Sequence, residues 1–410
     1  MSYHIKIIGA HTQLSDHLYT QDTLRILLSK YCRAHLRSAH HTDHKTYTQH
    51  ERWVSRINRI FHSACIKKRH LLLTPEQLLS GDTPSIDVNI DTTKNLLLQQ
   101  IQLGVNEICR KLRLRTTDIN CVISTSGIYT IPNIGFDILN TMEFNCTIQH
   151  KHTAGLASSG GARCLIDAYH YLQLNPSHCV LTICAESGSH GWLGAIKHSI
   201  DTTLHNRNNT DDQLNKELFF NDIVVSAIMG DGVGLCILAG ADHPLSHRTD
   251  YKKTPINIIN TLSTYLPNTQ HVIQRIATPY GYHTRLDSNL PITVVPPLSE
   301  HIKQFIKLNN ITADQLGFYV IHPGGSKVLR GVEQQFNIPS AINTTNINHT
   351  ISASPTLRHS WSSMWSMGNC SSASIIDVLR RTLSDPSCHG YGVAFAVGPG
   401  IVGETLLLHR

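Results

Sequence analysis

The sequence predicts an α/β protein made of two similar halves. Apolar runs of strand length alternate with longer stretches whose apolar residues recur at helical spacing. That alternation restarts beyond about residue 255. A chain of 410 residues is too long for one minimal domain and fits two domains or one large duplicated unit. The economical division is residues 1–245 and 246–410, with the halves meeting near 240–255.

Taken in order, residues 50–70 carry Trp53, Ile57, Ile60 and Phe61 at i, i+4, i+7 and i+8, a helix with one buried face and with Arg52, Arg56 and Arg59 largely elsewhere. A second helix reads through 92–114, followed by a short β-rich run, 119–126, that ends in small residues. Helix 159–174 and strand 179–186 repeat the rhythm, and a polar connector lies near 200–217. The segment 223–240 reads as two apolar runs separated by Gly-Asp-Gly, where Gly230 and Gly232 permit close backbone approach. Beyond 255 come helix 298–310, strand 318–325, helices 326–336 and 371–382, and a terminal pair of apolar runs. The Thr/Asn-rich stretch 343–356 reads as an insertion or long loop.

Composition narrows the function classes. Apolar residues at 40% and charged residues at 16% describe a globular chain with an uncharged polar surface. A net charge of +6 suits an anionic small ligand but falls short of the dense basic stripe of a nucleic-acid binder. Eleven cysteines, an odd number with no Cys-x-x-Cys pair and several inside apolar runs, point to a reducing cytoplasm. The N-terminus lacks the pattern of an export signal, and no run approaches the ~18 apolar residues of a membrane span. No metal site is indicated, since 27 histidines are by themselves no metal signal.

Four stretches share one design, an apolar run that stops at a reactive or small residue and is followed by glycines: "AGLASSGG", "MGDGVG", "VIHPGG" and "SMGNCSSAS". In α/β sheets ligands gather at the carboxyl ends of strands, so these stops are candidates for one pocket. Ser158 precedes Gly160, Gly161 and a helical run. It reads either as a nucleophile beside an oxyanion hole or, with Ser159, as ordinary N-cap chemistry. His322 follows an apolar strand and precedes Pro323-Gly324-Gly325, which presents its ring as a hydrogen-bond donor or base, or as a structural histidine. Asn369 offers an amide donor ahead of a helix, or a cap.

Together these stretches resemble the type III polyketide synthases, the chalcone-synthase-like branch of the thiolase-fold condensing enzymes. The resemblance runs through "SRINRIFHSACIKKRHLLL", "STSGIYTIPNIGFDILNTM", "AGLASSGGARCLIDAYHYL", "SAIMGDGVGLCILAG", "YGYHTRLDSNLP", "GFYVIHPGGSKVLRGVE", "MGNCSSAS" and "AVGPGIVGETLLLHR", in family order. It implies a thiolase-like fold of two duplicated α/β halves in αβαβα layers, acting as a homodimer. His322 and Asn369 become the pair that binds the thioester carbonyl and stabilises the enolate left by decarboxylation of malonyl-CoA. Arg56 and Arg59 match residues that contact coenzyme A phosphates, with Ser63 where a lysine is common. Ser126, Ile131, Met229, Ser371 and Pro399 fall at pocket positions, and Ile131 resembles the residue that crosses the dimer axis. Position 158 falls where the family has its cysteine. The 47 residues from His322 to Asn369 exceed the usual spacing, which assigns 343–356 to an insertion.

The resemblance implies an acyltransferase that takes an acyl-CoA starter and malonyl-CoA, or a carrier-protein thioester, as substrates and needs no bound cofactor. A serine hydroxyl does not ionise as a cysteine thiol does, so Ser158 requires His322 as base. Its acyl oxoester is also less electrophilic toward carbon. Alternative expectations are a Ser158-dependent acyltransferase or thioesterase, a condensation-deficient form, natural or made by replacing cysteine, and a non-catalytic partner subunit.

Overall fold

The computed structural model describes residues 5–38, 44–74, 86–189, 196, 199, 212–249, 254–278, 281–340 and 357–410. The expected insertion at 343–356 and most of the connector at 200–217 lie outside the described residues.

In chain order the principal elements are β1 (Ile5–Gln13), β2 (Leu18–Thr20), α1 (Gln21–Ser38), α2 (His44–Ser63), β3 (Lys68–His70), α3 (Ile86–Leu112), β4 (Cys121–Ser126), α4 (Ile134–Thr141) and β5 (Gln149–Thr153). They continue with α5 (Gly160–Leu174), β6 (Cys179–Ser187), α6 (Asp212–Ile228), β7 (Asp231–Ala239), β8 (Ile256–Tyr265), β9 (Ile273–Thr278) and β10 (Gly281–Leu286). The last are α7 (Leu290–Leu308), β11 (Leu316–Ile321), α8 (Ser326–Gln335), α9 (Arg358–Met367), α10 (Ser372–Leu383), β12 (Tyr391–Gly398) and β13 (Val402–His409).

Nine strands form one sheet in the order β11-β12-β13-β8-β1-β7-β6-β4-β5. On one side of the β8–β1 junction, β11 and β12 are parallel and β13 and β8 antiparallel. On the other, β5, β4 and β6 are parallel and β7 and β1 antiparallel. The junction is short, pairing only Ile5, Ile7 and Lys6 with Ile258, Ile256 and Asn257.

Strands that are apolar on both sides must be covered on both faces. β6 and β7 are buried at every position. α5 and α10 lie against strands of both sides, and their Ala162, Leu165, Leu172, Ile375, Ile376 and Leu379 join Ile123, Val180, Phe318, Val320 and Leu406 in one core. Outside, Leu97, Ile101, Val105 and Ile138 of α3 and α4 cover Val122, Leu181 and Leu235. On the far side Val295, Leu298, Ile302 and Trp361 of α7 and α9 cover Tyr319, Ile321, Val393 and Leu407. The result is αβαβα layering with α5 and α10 at the centre.

Two expectations are corrected. The first apolar run of 223–240 is the end of α6, because Phe219, Ile223 and Ala227 are spaced to bury one helical face with Trp53 of α2, at 4.6 Å between the Phe219 and Trp53 rings. The helix expected at 50–70 stops at Ser63, and Lys68–His70 pair instead with β2. A central strand, β1, was not anticipated: "IKIIGAHTQ" loses its apolar pattern after Ile8, and pairing with β7 defines it.

Candidate active site

Three strand ends and two helix starts position the residues singled out above. β11 ends at Ile321, whose carbonyl accepts from Ser360 Oγ at 2.7 Å. The next residue, His322, is fixed to β12 by its N–H donating to the Phe395 carbonyl at 2.9 Å. Its imidazole is 3% exposed, and neither ring nitrogen has a hydrogen-bond partner. Burial pushes its pKa down to about 3, so the ring is neutral near pH 7 and carries one N–H and one lone pair. Unpaired buried polar atoms are uncommon and call for a functional explanation.

Gly324 sits against the ring, such that a Cβ there would lie 3.5 Å from His322 Cδ2. Its carbonyl accepts from Asn369 Nδ2 at 3.2 Å. The imidazole and the carboxamide therefore flank one residue, and Asn369 keeps a second N–H for another acceptor. Asn369 is placed by its backbone, which exchanges hydrogen bonds with Ile228 and Gly230 on either side of Met229. Its Oδ1 accepts from Ser371 N at 2.9 Å. That bond holds Ser371 at φ 46, a left-handed backbone ahead of α10.

α5 and α10 meet at their first turns. A Cβ on Gly161 would run into the Ser372 carbonyl, and one on Gly160 would come 2.9 Å from Thr125 Oγ1 at the end of β4. Glycine there permits the close approach of helix to helix and of helix to strand. The preceding one-turn helix, Ala157–Ser159, lies against the end of β12: Ser159 Oγ donates to Leu156 O at 2.9 Å, and any Cβ on Gly398 would run into both residues. Pro399 follows immediately, half-buried. Ser126 closes β4, buried, its Oγ accepting from Ile128 N at 3.1 Å.

The described contacts thus run from His322 through Gly324 to Asn369, Ser371 and Ser372, and from Ser372 through Gly161 to the 157–159 turn and Gly398. Ser158 is on that turn, half-buried, but the hydrogen bond of a Ser158–His322 dyad is not made, because neither nitrogen of His322 has a partner. The left-handed residue of the turn is Ala157, at φ 43, one position before Ser158.

Arg56 and Arg59 are exposed on α2, Arg56 stacked 4.8 Å over the Trp53 ring. Ser63 at the end of α2 accepts from Ser326 Oγ at 3.4 Å, one residue after the His322–Gly325 loop. At about 1.5 Å rise per residue, Arg59 and Arg56 lie roughly 6 and 10 Å along the axis from that contact. Ile131 is not drawn into this neighbourhood and stands fully exposed at 103%.

Two groups in this region escaped the sequence reading. Glu186 is fully buried at the end of β6, accepting from Ser372 Oγ at 2.5 Å and Gly127 N at 3.1 Å. Burial raises its pKa against the opposing effect of these bonds and of Arg275. Its signal was a lone carboxylate closing an otherwise apolar strand. Arg69, also fully buried, donates to the carbonyls of Ser226 and Met229 at 2.6 and 2.7 Å and so fixes the backbone beside Asn369. The surface hollows lined by Gln102, Asn106 and Thr116 and by Lys6, Asp242 and Asn257 lie elsewhere.

Comparison with known proteins agrees with this architecture. Residues 257–410 match the chalcone and stilbene synthases, C-terminal domain. The chain is 25% identical over 411 residues to a 1,3,6,8-tetrahydroxynaphthalene synthase of Streptomyces peucetius subsp. caesius, covering 98% of this chain and 92% of that protein. It is 23% identical to a phloroglucinol synthase of Pseudomonas fluorescens, covering 89% and 90%. Among solved structures, PKS-I of the brown alga Ectocarpus siliculosus superposes with a TM-score of 0.75 at 19% identity, over 100% of this chain and 99% of that one. The 1,3,6,8-tetrahydroxynaphthalene synthase of Streptomyces coelicolor A3(2), a bacterial type III polyketide synthase, also gives 0.75, at 18% identity over 98% and 99%. A matching C-terminal domain, relatives aligned over nearly the whole chain and a shared thiolase-like fold lead to one conclusion: residues 257–410 are a chalcone and stilbene synthase C-terminal domain, in a chain similar over nearly its whole length to type III polyketide synthases.

Proposed function

We propose that the chain is an acyl-CoA-dependent polyketide synthase in which His322 and Asn369 hold a malonyl thioester carbonyl and stabilise the enolate formed when CO2 leaves. The observation that carries this reading is the pair itself, a buried neutral imidazole with no partner beside a carboxamide with one N–H to spare. Neutrality matters: a neutral donor stabilises developing oxyanion charge without first having to lose a proton. Preorganised donors in a water-poor site are strong because they need no reorganisation when the charge appears. The enolate carbon is then the nucleophile for condensation with an acyl thioester.

Asn369→Asp tests the pair. The carboxylate keeps an acceptor for Ser371 N but loses the donor, so release of CO2 from malonyl-CoA falls by about 10²-fold or more. Retention of the rate would count against the assignment.

Arg56 and Arg59 are proposed to receive the coenzyme A phosphates on the exposed side of the loop that follows His322. Replacing both with Ala raises KM for malonyl-CoA and leaves kcat little changed, since phosphate binding is shared by ground and transition states. A drop confined to kcat would contradict this.

The protein is further proposed to act as a homodimer in the cytoplasm. Ile131, wholly exposed, with Tyr129 and Phe136 exposed nearby in the chain, offers an apolar surface for a second copy. Ile131→Asp shifts sedimentation toward the monomer if this surface is the contact, and an unchanged profile removes it from the interface. Most of the eleven cysteines are buried as free thiols. No helix among the described residues is long and apolar enough to cross a membrane.

A further inference from the structure

We infer that the reactive position of the turn ahead of α5 is Ala157 rather than Ser158, and that this chain decarboxylates malonyl thioesters without forming an acyl-enzyme there, so that the acyl group for condensation comes from a bound acyl thioester and not from the protein. The inference rests on the role proposed for His322 and Asn369.

Backbone strain is the first observation. Leu156, Ser159 and Gly160 are right-handed, with φ of −91, −76 and −56, whereas Ala157, after Leu156, is at φ 43. A left-handed alanine is strained by its Cβ and persists only where the surroundings enforce it. When a sharp turn into a helix presents a nucleophile, the strained residue is the one that bears the reactive side chain. Here that side chain is a methyl group.

The neighbouring serines do not make up the loss. Ser159 Oγ is turned back onto the Leu156 carbonyl and closed in by Gly398. Ser158 makes no hydrogen bond to His322, the only base proposed for it, as both ring nitrogens lack partners. A serine nucleophile needs its base within about 2.6–3.2 Å. The imidazole is also held neutral and buried beside Asn369, an arrangement suited to donating to an oxyanion.

The step balances without an acyl carrier. The bond between the malonyl α-carbon and its carboxylate breaks, the electron pair passes into the thioester to give an enolate oxyanion at His322 and Asn369, and CO2 departs. The α-carbon then takes a proton from water, and acetyl-CoA leaves with its thioester intact.

The test uses the full chain incubated with malonyl-CoA and a long-chain acyl-CoA, read by thioester chromatography and intact-protein mass spectrometry with peptide mapping. The expected result is acetyl-CoA with no acyl adduct on the unaltered chain. Ala157→Cys, which adds one sulfur to an existing Cβ, gains a stoichiometric acyl adduct at position 157, whereas Ser158→Cys gains none at 158. Melting temperatures of both variants establish that they are folded. An adduct on Ser158 of the unaltered chain, or one at 158 in Ser158→Cys with none in a folded Ala157→Cys, overturns the inference while leaving the decarboxylation reading in place. Failure of every form to produce acetyl-CoA overturns that reading and this inference together.

Discussion

His322→Ala lowers CO2 release from malonyl-CoA by about 10²–10³-fold, the usual consequence of removing one oxyanion donor from a preorganised site. The fold should tolerate the change. His322 brings two unpartnered ring nitrogens into the interior, and a buried unsatisfied polar group costs about 1–3 kcal/mol. Relief of that cost offsets much of the packing lost with the ring. A melting temperature close to that of the parent, together with collapsed decarboxylation, is therefore the signature of a residue kept for chemistry. A large fall in melting temperature with decarboxylation retained would mean that the ring serves the core instead. The loop makes the comparison clean, because the backbone atoms His322 N, Ile321 O and Gly324 O keep their partners Phe395 O, Ser360 Oγ and Asn369 Nδ2 whatever the side chain at 322.

Gly161→Val is expected to be the most damaging single change to stability. A Cβ at 161 would overlap the Ser372 carbonyl and approach Ile375 Cγ2 to 2.6 Å, and valine adds two methyl groups beyond it. Both obstacles belong to α10 at its most buried point, where Ser372, Ala373, Ile375 and Ile376 are all at 0% exposure, so neither can swing away. Overpacking typically costs 1–3 kcal/mol when side chains can shift. Against backbone the cost lies at or above the top of that range, and about 1 °C of melting temperature is lost per kcal/mol in a chain of 410 residues. Thermal unfolding of the purified variant, or its failure to accumulate as soluble protein, checks this. A melting temperature within about 1 °C of the parent's, the shift that roughly 1 kcal/mol produces, would show that α5 and α10 do not meet as described. The same displacement would move the 157–159 turn relative to Ser371 and Asn369, so decarboxylation should fall with stability, unlike in His322→Ala.

The contrast between these variants reflects how α5 and α10 are used. Each is a core helix over most of its length and a part of the site at its first turn, entered through a non-glycine residue with positive φ, Ala157 in one case and Ser371 in the other. Such backbone is retained where surrounding contacts over-determine it. For Ser371 the contact is visible in the Asn369 Oδ1 bond to its N–H.

Much of this protein was legible in its residues. Helical spacing and apolar runs located α5, α10 and β6 to within one residue and found α3 and β11 with shifted ends, because one face of each helix and both faces of each inner strand must be covered. The small residues after each strand marked where backbones approach, and Gly160, Gly161, Gly324 and Gly398 are such places. Ordered motifs carried the resemblance to type III polyketide synthases before any coordinate. Other features were decided only by packing. β1 becomes a central strand through its hydrogen bonds to β7, and 223–228 becomes helical because α2 offers Trp53 to cover it. Glu186 acquires its role from Ser372, 186 residues away, and Arg69 from carbonyls near Met229. The serine pair at 158 and 159 looked alike in the sequence, since a cap, a nucleophile and a packing hydroxyl share one side chain. The folded turn separates them: a left-handed backbone falls on Ala157, a local bond to Leu156 occupies Ser159 in the space closed by Gly398, and Ser158 is left without His322. Local sequence fixes periodicity because that depends on neighbours along the chain, whereas the sign of φ at a non-glycine turn depends on what the fold presses against it.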